Sequence, residues 1–274
     1  MKHLSKKLVL LLFMGIPLLG LTQTKYRTAG DIAYRAEDEL GQDAYMSEMD
    51  RMDIYYPEDV KDAPVIIWFH GGGLTGGHRE IPADLKQTGN VIVGVGYRLS
   101  PKVKAETSID DATAAVAWVF KNIKKYNGDP KKIFVSGHSA GGYLALMTIM
   151  DKSRLEAYGV DANDAAGLIP FSGHTITHFT IRAERGIPGE QPIIDQWAPL
   201  YYVRADAPPT LLITGDRELE MLGRYEENAY FYRMMKVAGQ EDIDIYEMDG
   251  YGHGMTHPAF PLLLNFVKAH ANAQ

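Results

Sequence analysis

The stretch Ile-Phe-Val-Ser-Gly-His-Ser-Ala-Gly, residues 133–141, decides the fold. Its apolar start predicts a buried strand, and the small and apolar residues that follow it, 142–146, predict a helix. The pattern Gly-x-Ser-x-Gly lies between them and is typical of a sharp strand-to-helix turn with Ser139 at its apex. Glycines flank the serine because such a turn leaves no room for Cβ atoms. The turn exposes the serine hydroxyl and directs the free N–H groups of the helix N-terminus towards it.

A second glycine motif precedes the serine in the chain. His-Gly-Gly-Gly, residues 70–73, follows the run Val-Ile-Ile-Trp-Phe, residues 65–69, which is apolar enough for a buried parallel strand. Glycines at this place let backbone N–H groups approach a substrate oxygen. A flexible turn is an alternative, whereas a phosphate loop is disfavoured because the chain has neither Gly-Lys-Ser/Thr nor Gly-x-Gly-x-x-Gly. Both motifs together favour a nucleophilic serine over chance.

A histidine lies in a glycine-rich loop near the end of the chain. Gly-Tyr-Gly-His-Gly, residues 250–254, follows a predicted strand at 243–248 and precedes a C-terminal helix. Such a loop suits His253 as a general base, with His257 as the rival four residues on. A metal site of these two histidines would need a shared helix face, and Gly254 and the proline at 258 argue against a helix there. We therefore predict no metal.

The acid that would orient the histidine is the least determined residue. A predicted strand at 211–214 is followed by Gly-Asp-Arg-Glu, residues 215–218. Asp216 lies inside the turn, where an aspartate often bonds its own backbone, and Glu218 lies two residues further out. The residues alone leave both carboxylates open.

The whole chain fits one α/β domain at residues 23–274. Its 274 residues are 46% hydrophobic and 23% charged, and no cysteine is present, which excludes disulfides, cysteine catalysis and thiolate metal sites. Strands are predicted within 26–56 and at 64–70, 91–97, 133–135, 166–171, 211–214 and 243–248, with helices at 108–126, 223–237 and the C-terminus. This alternation predicts a mostly parallel central sheet with helices on both faces.

Residues 174–199 interrupt that alternation and are rich in glycine and proline. An insertion between the serine unit and the acid strand can form a small lid that shapes the substrate site. A solvated loop is the alternative.

The first 22 residues have the pattern of a secretory signal. A lysine-rich start precedes an apolar stretch at 8–21 that is short for a membrane span, with cleavage expected near residues 22–24. We expect a periplasmic or secreted protein with no integral membrane span after cleavage; an uncleaved N-terminal anchor is the alternative. Removing residues 1–22, which hold three lysines and no acid, changes the net charge from −7 to −10. Charge-driven nucleic-acid binding is therefore not expected.

The motifs resemble those of α/β-hydrolase fold esterases of the hormone-sensitive-lipase-like and acetylxylan/feruloyl esterase type. The matching stretches cover about residues 48–270 and are His-Gly-Gly-Gly at 70–73, Tyr-Arg-Leu-Ser-Pro at 97–101, Asp-Asp at 110–111 with Ala-Trp at 117–118, Gly-His-Ser-Ala-Gly at 137–141, Gly215 with Glu218, and Gly-x-Gly-His at 250–253. Two features depart from the family pattern: residues 104–107 replace Phe-Pro-Ala, and the acid is Glu where Asp is more common.

This resemblance implies a role for each matching residue. Ser139 would be the nucleophile and His253 the base, and the family spacing of three residues after Gly215 selects Glu218 over Asp216 as the acid. The oxyanion would be held by N–H groups of Gly72, Gly73 and Ala140. Tyr97 and Arg98 would buttress the glycine loop.

The resemblance also implies a reaction. We expect an exported serine carboxylesterase that needs no cofactor and removes acetyl or feruloyl groups from carbohydrate esters. The alternatives are an amidase or peptidase of the same fold (formamidase-like), a short-chain lipid esterase, and a non-catalytic binding protein.

Overall fold

Eight strands form one central sheet in the part of the chain that this computed structural model describes, residues 24–272. The strands are β1 (Tyr26–Ala33), β2 (Arg51–Pro57), β3 (Ala63–Phe69), β4 (Val91–Val95), β5 (Gly128–His138), β6 (Gly167–Phe171), β7 (Thr210–Gly215) and β8 (Ile243–Met248). Their order is β1-β2-β4-β3-β5-β6-β7-β8, and only the pairs β1–β2 and β2–β4 are antiparallel. The predicted fold class is confirmed. The predicted secretory segment, residues 1–22, lies outside the described residues.

Eight α-helices flank or connect these strands in the described range. They are α1 (Glu37–Leu40), α2 (Ala44–Met49), α3 (Ala105–Asn122), α4 (Ala140–Met150), α5 (Lys152–Glu156), α6 (Phe179–Glu184), α7 (Arg224–Ala238) and α8 (Thr256–Ala271). Short 3₁₀ turns lie at Ala83–Leu85, Ile123–Tyr126, Ala162–Asp164 and Pro199–Tyr202.

The core has two layers because successive side chains of a strand point to opposite faces of the sheet. On β3, Val65 and Ile67 pack into the layer that includes α3 and α4, whereas Ile66 and Trp68 pack into the layer that includes α8. Strands buried on both faces read as continuous apolar runs, which is why the sequence shows them clearly.

Helix boundaries differ from the sequence-based expectation at two places. Helix α3 begins at Ala105 rather than at 108, because Glu184 of the insertion accepts a hydrogen bond from the Ala105 N–H at 3.0 Å. Asp111 of this helix is fully buried and pairs with Arg98 and Arg35. Helix α8 begins at Thr256 and takes up Pro258 in its first turn, where proline is tolerated.

The parallel strands bring six loops to one edge of the sheet. The carboxyl ends of β3, β4, β5, β6, β7 and β8 lead into the segments that begin at residues 70, 96, 139, 172, 216 and 249. In open α/β sheets ligands bind at this edge.

Candidate active site

Ser139 occupies a strained turn between β5 and α4. Its φ is 56° and its ψ is −115°, a left-handed conformation that a serine rarely adopts and that the surroundings must hold in place. The Ser139 N–H donates to the Phe171 carbonyl oxygen at 2.8 Å. A Cβ on Gly137 would lie 2.6 Å from the Gly141 backbone, and a Cβ on Gly141 would overlap the Phe69 carbonyl oxygen. These close approaches explain why glycines flank the serine.

His253 lies beside the serine. Its Nε2 is 2.8 Å from Ser139 Oγ, so the imidazole can accept the hydroxyl proton. The rival His257 lies elsewhere: its side chain is 82% exposed and its Nδ1 lies 3.0 Å from Asp84 Oδ1.

The carboxylate beside the imidazole is Glu220. Its Oε1 lies 2.6 Å from His253 Nδ1, and its side chain is fully buried. Neither carboxylate singled out in the sequence occupies this place, so the choice of Glu218, with Asp216 as alternative, is wrong for this contact. Asp216 instead accepts the N–H groups of Glu218 and Gly250, both at 2.9 Å.

The local turn explains the difference. The N–H groups of Leu219 and Glu220 both donate to the Asp216 carbonyl oxygen, and this turn carries the chain from the exposed Glu218 back to the buried Glu220. Glu220 lies five residues after Gly215, and its only sequence signal is that it is the third carboxylate after β7.

Glu220 is held as a carboxylate. Burial by itself raises its pKa, but hydrogen bonds from His253, Ser172 and the Met221 N–H outweigh burial and lower the pKa to about 2. The four donors are His253 Nδ1 and Met221 N on Oε1, and Ser172 Oγ and Gly215 N on Oε2. A carboxylate fixed in this way orients the imidazole and stabilises its protonated form.

Two residues near the imidazole were not singled out in the sequence as site residues. Ser172, directly after β6, places its Oγ 2.6 Å from Glu220 Oε2 and 3.2 Å from His253 Nδ1. His138 lies 2.8 Å, through its Nε2, from the His253 carbonyl oxygen. Burial, and then the neighbouring His253, lower the pKa of His138 to about 4, so at neutral pH it is a neutral donor to that carbonyl. It ties the histidine loop to the serine turn.

The glycine loop after β3 presents backbone donors. Gly72 and Gly73 have φ values of 117° and 64°, and no acceptor for either N–H lies among the described residues. Ala140 is the first residue of α4, where N–H groups have no intrahelical acceptor. A Cβ on Gly71 would lie 3.5 Å from Ser139 Cβ, which places this loop against the serine.

Two contacts hold the glycine loop in place. The Tyr97 hydroxyl donates to the His70 carbonyl oxygen at 2.7 Å, and the two rings stack at 4.3 Å. From the insertion, Thr180 Oγ1 donates to the Gly73 carbonyl oxygen at 2.5 Å. Arg98 has no hydrogen bond to the loop among the described residues; it binds Asp111 and, through Nη1, Asp43.

The geometry is that of nucleophilic acyl transfer: a hydroxyl, an imidazole and a carboxylate in one hydrogen-bonded line, beside unpaired backbone donors. Residues 24–272 contain no cluster of three or more histidine or acidic side chains that could hold a metal. Within the same range, no helix combines the length and apolarity that crossing a bilayer requires.

Comparison with solved structures identifies this architecture. A structure described as a truncated form of carbohydrate esterase from gut microbiota superposes with a TM-score of 0.72 at 17% identity, over 91% of this chain and 98% of the other. The chain has the α/β-hydrolase fold.

Proteins of similar sequence are esterases. The family described as BD-FAE matches residues 52–168. Carboxylesterase NlhH of Mycobacterium tuberculosis is 37% identical over 98 residues, which are 34% of this chain and 31% of NlhH. Esterase LipC of the same species is 25% identical over 228 residues, which are 74% of this chain and 56% of LipC. The chain thus spans less than a third of NlhH and just over half of LipC.

Proposed function

We propose that the protein is a serine carboxylesterase in which Ser139, His253 and Glu220 form the catalytic triad. The contact that carries this proposal is Ser139 Oγ at 2.8 Å from His253 Nε2, with Glu220 at 2.6 Å on the other ring nitrogen. The α/β-hydrolase fold and the esterase relatives support the same reaction.

Each residue of the site has a defined role in the proposed reaction. Ser139 Oγ attacks the ester carbonyl carbon while His253 Nε2 takes its proton, and the N–H groups of Gly72, Gly73 and Ala140 stabilise the oxyanion. His253 then gives the proton to the leaving alcohol oxygen, and an acyl-serine remains. A water molecule, deprotonated by His253, attacks the acyl-serine, and the carboxylic acid leaves as Ser139 regains its proton. Glu220 stays ionised throughout.

For the substrate, we propose acetyl or feruloyl esters of carbohydrates. The resemblance to acetylxylan and feruloyl esterases supports this class, as does the similarity to a structure described as a carbohydrate esterase. The signal-like residues 1–22 support export to the periplasm or beyond, where polysaccharide fragments occur. N-terminal sequencing of the exported protein tests the export, since a mature start at residues 23–25 is expected.

Hydrolysis of p-nitrophenyl acetate tests the reaction. The wild type should release p-nitrophenol, and Ser139→Ala should reduce the rate to background with its circular dichroism unchanged. Equal turnover by both proteins would refute the triad, and no turnover by the wild type on any ester or amide would favour a binding protein.

A substrate panel tests the class. Acid release from acetylated and feruloylated glycans should exceed that from long-chain lipid esters and from aryl formamides. Strong turnover of lipid esters alone would favour the lipid esterase, and strong turnover of formamides would favour the amidase.

A further inference from the structure

A cavity of about 540 Å³ lies between the insertion and the start of α7. Its volume is in the range of small-molecule sites. Its apolar wall includes Ile176, Phe179, Pro192 and Met221, and its polar wall includes His174 and Arg182.

The cavity adjoins the candidate active site on two sides. Phe179 reaches the glycine loop, because a Cβ on Gly73 would lie 3.1 Å from its ring. Met221 directly follows Glu220, and its N–H donates to Glu220 Oε1 at 2.7 Å. A part of the substrate that enters this cavity can therefore remain joined to the ester group that Ser139 attacks.

His174 has a buried hydrogen-bond acceptor beside the cavity. Its Nδ1 lies 2.7 Å from Glu227 Oε1, which also accepts Arg224 Nε at 2.7 Å, while Glu227 Oε2 accepts two backbone N–H groups. Burial raises the pKa of Glu227 to about 7, so at higher pH it is a carboxylate that accepts all these bonds and His174 Nδ1 carries the proton. Burial, and then Arg224, hold the pKa of His174 well below its ordinary value. The ring is therefore neutral, and Nε2 has a free lone pair.

Nε2 of His174 has no hydrogen-bond partner among residues 24–272, although the side chain is nine-tenths buried. Arg182, in the same wall, has a donor that lacks an acceptor. Its Nη1 donates to the carbonyl oxygens of Gly189 and Gln191, but its buried Nε–H has no partner in that range. Buried polar groups in native proteins are normally paired with protein or ordered water, so a water or a bound molecule would complete the hydrogen bonding of these two atoms.

We propose that this cavity binds a hydroxyl-bearing part of the ester substrate, and that a substrate hydroxyl donates to His174 Nε2. Arg182 Nε–H supplies the matching donor to hydroxyl oxygens in the same cavity. The guanidinium groups of Arg182 and Arg224 balance the carboxylates of Glu190 and Glu227 in the cavity lining, which suits a neutral hydroxyl better than a charged ligand. Both unpaired atoms are closed off from solvent in the free protein, so the ligand gains these contacts by displacing flanking side chains.

The proposal rests on the proposed esterase function, and the hydroxyl has two possible sources. It belongs either to the acyl group, as in the phenol of a feruloyl ester, or to the alcohol, as in a sugar. A site built to bond a hydroxyl discriminates strongly against the analogue that lacks it.

The test compares each substrate with its O-methylated analogue at pH 8, where Glu227, whose pKa burial raises to about 7, is ionised. The acyl pair is methyl ferulate and methyl 3,4-dimethoxycinnamate; the alcohol pair is methyl 2-O-acetyl-xyloside and its 3,4-di-O-methyl derivative. For one pair, kcat/KM of the wild type should favour the free hydroxyl by roughly tenfold or more. His174→Phe should abolish this preference, whereas p-nitrophenyl acetate turnover should persist.

Two further variants complete the experiment. His257→Phe, at an exposed site that does not line the cavity, should keep the preference. His174→Leu, which also removes the acceptor, should lose the preference and provides a second reading if His174→Phe does not fold. Equal kcat/KM for both members of both pairs in the wild type would overturn the proposal, as would a preference that survives both His174 variants.

A binding measurement separates this proposal from the esterase function. The same four compounds are titrated into Ser139→Ala and into Ser139→Ala/His174→Phe. If His174 makes the protein bind the free hydroxyl more tightly than its O-methylated analogue, but the wild type hydrolyses no ester, the esterase function is refuted and the subsite is retained. If the wild type hydrolyses p-nitrophenyl acetate but binds both members of each pair equally, the subsite is refuted and the esterase function is retained.

Discussion

Oε1 of Glu220 lies 2.6 Å from Nδ1 of His253, on the side of the imidazole opposite to Ser139. Glu220 is a fully buried carboxylate whose oxygens accept four hydrogen bonds, so its position is fixed before any substrate arrives.

Replacing this carboxylate by an amide should impair catalysis far more than replacing its neighbours. We expect Glu220→Gln to lower kcat by about 10³–10⁴-fold, because the imidazole loses both its tautomer and the charge that stabilises its protonated form. Glu218→Gln and Asp216→Asn are the matched controls and should keep kcat near the wild-type value. Steady-state kinetics on p-nitrophenyl acetate measures kcat for each variant. A larger loss of kcat in Glu218→Gln than in Glu220→Gln would indicate that Glu218, the residue that the family spacing selects, is the catalytic acid.

Ser172 should act as a positioning residue. Its hydroxyl bonds Glu220 and approaches His253 Nδ1, so we expect Ser172→Ala to lower kcat by about tenfold while KM stays constant. Ser136→Ala is the control, because that buried hydroxyl also donates one hydrogen bond, to the Ile169 carbonyl oxygen at 2.6 Å, but lies within β5. We expect both variants to lose the same amount of stability, but only Ser172→Ala to lose kcat. A parallel fall of kcat in both would indicate a general structural effect.

The hydrogen bond from Thr180 to Gly73 should hold the oxyanion donors in place. We expect Thr180→Val to lower kcat by roughly tenfold, because small displacements of such donors weaken transition-state stabilisation. Thr180→Ser keeps the hydroxyl and should retain most of the rate. The comparison uses kcat on p-nitrophenyl acetate, and a serine variant as slow as the valine variant would argue that the methyl group, not the bond, is needed.

A methyl group at Gly141 should be poorly tolerated. It would overlap the carbonyl oxygens of Phe69 and His70, both backbone atoms, so we expect Gly141→Ala to destabilise the fold by about 3 kcal/mol or more. Gly30→Ala, where the nearest atom would be a side-chain oxygen 3.4 Å away, should change stability little. Urea unfolding measures both, and similar midpoints for the two variants would contradict the turn geometry.

Glu220 should also make the free energy of unfolding depend on pH in the acidic range. Its folded-state pKa of about 2 lies below the unfolded value near 4.3, so its stabilising effect is complete above pH 4.3 and is lost as the pH falls towards 2. The difference in unfolding free energy between the wild type and Glu220→Gln should therefore be constant from pH 7 to 5 and shrink between pH 4 and 2.5. Urea titrations across this range measure it, and a difference that does not change with pH would be inconsistent with the bonded carboxylate.

Sequence patterns predict the parts of this fold in which local pattern and long-range packing agree. The buried strands β3, β5 and β7 are continuous apolar runs, and the predicted serine and histidine do meet. The start of α3 was misplaced because the residue that binds its first N–H, Glu184, is distant in the sequence.

The acid shows why the site is harder to predict than the fold. Spacing after Gly215 favours Glu218, but the hydrogen bonds of Asp216 shape a turn that exposes Glu218 and buries Glu220. The partners that hold Glu220 come from β6 and β8 as well as from its own loop. These loops meet only in the folded protein, so the residues in contact have no fixed spacing in the sequence that a pattern could detect.

Helix α6 is fastened at both ends: Thr180 binds the glycine loop, and Glu184 binds Ser100 and the first N–H of α3. The chain that follows, residues 186–192, supplies cavity wall but none of these fastenings. Mutation can therefore alter the length and composition of 186–192 while the chemical machinery stays intact. The fold separates the segment in which substrate preference can evolve from the segment that must stay unchanged for any substrate to react.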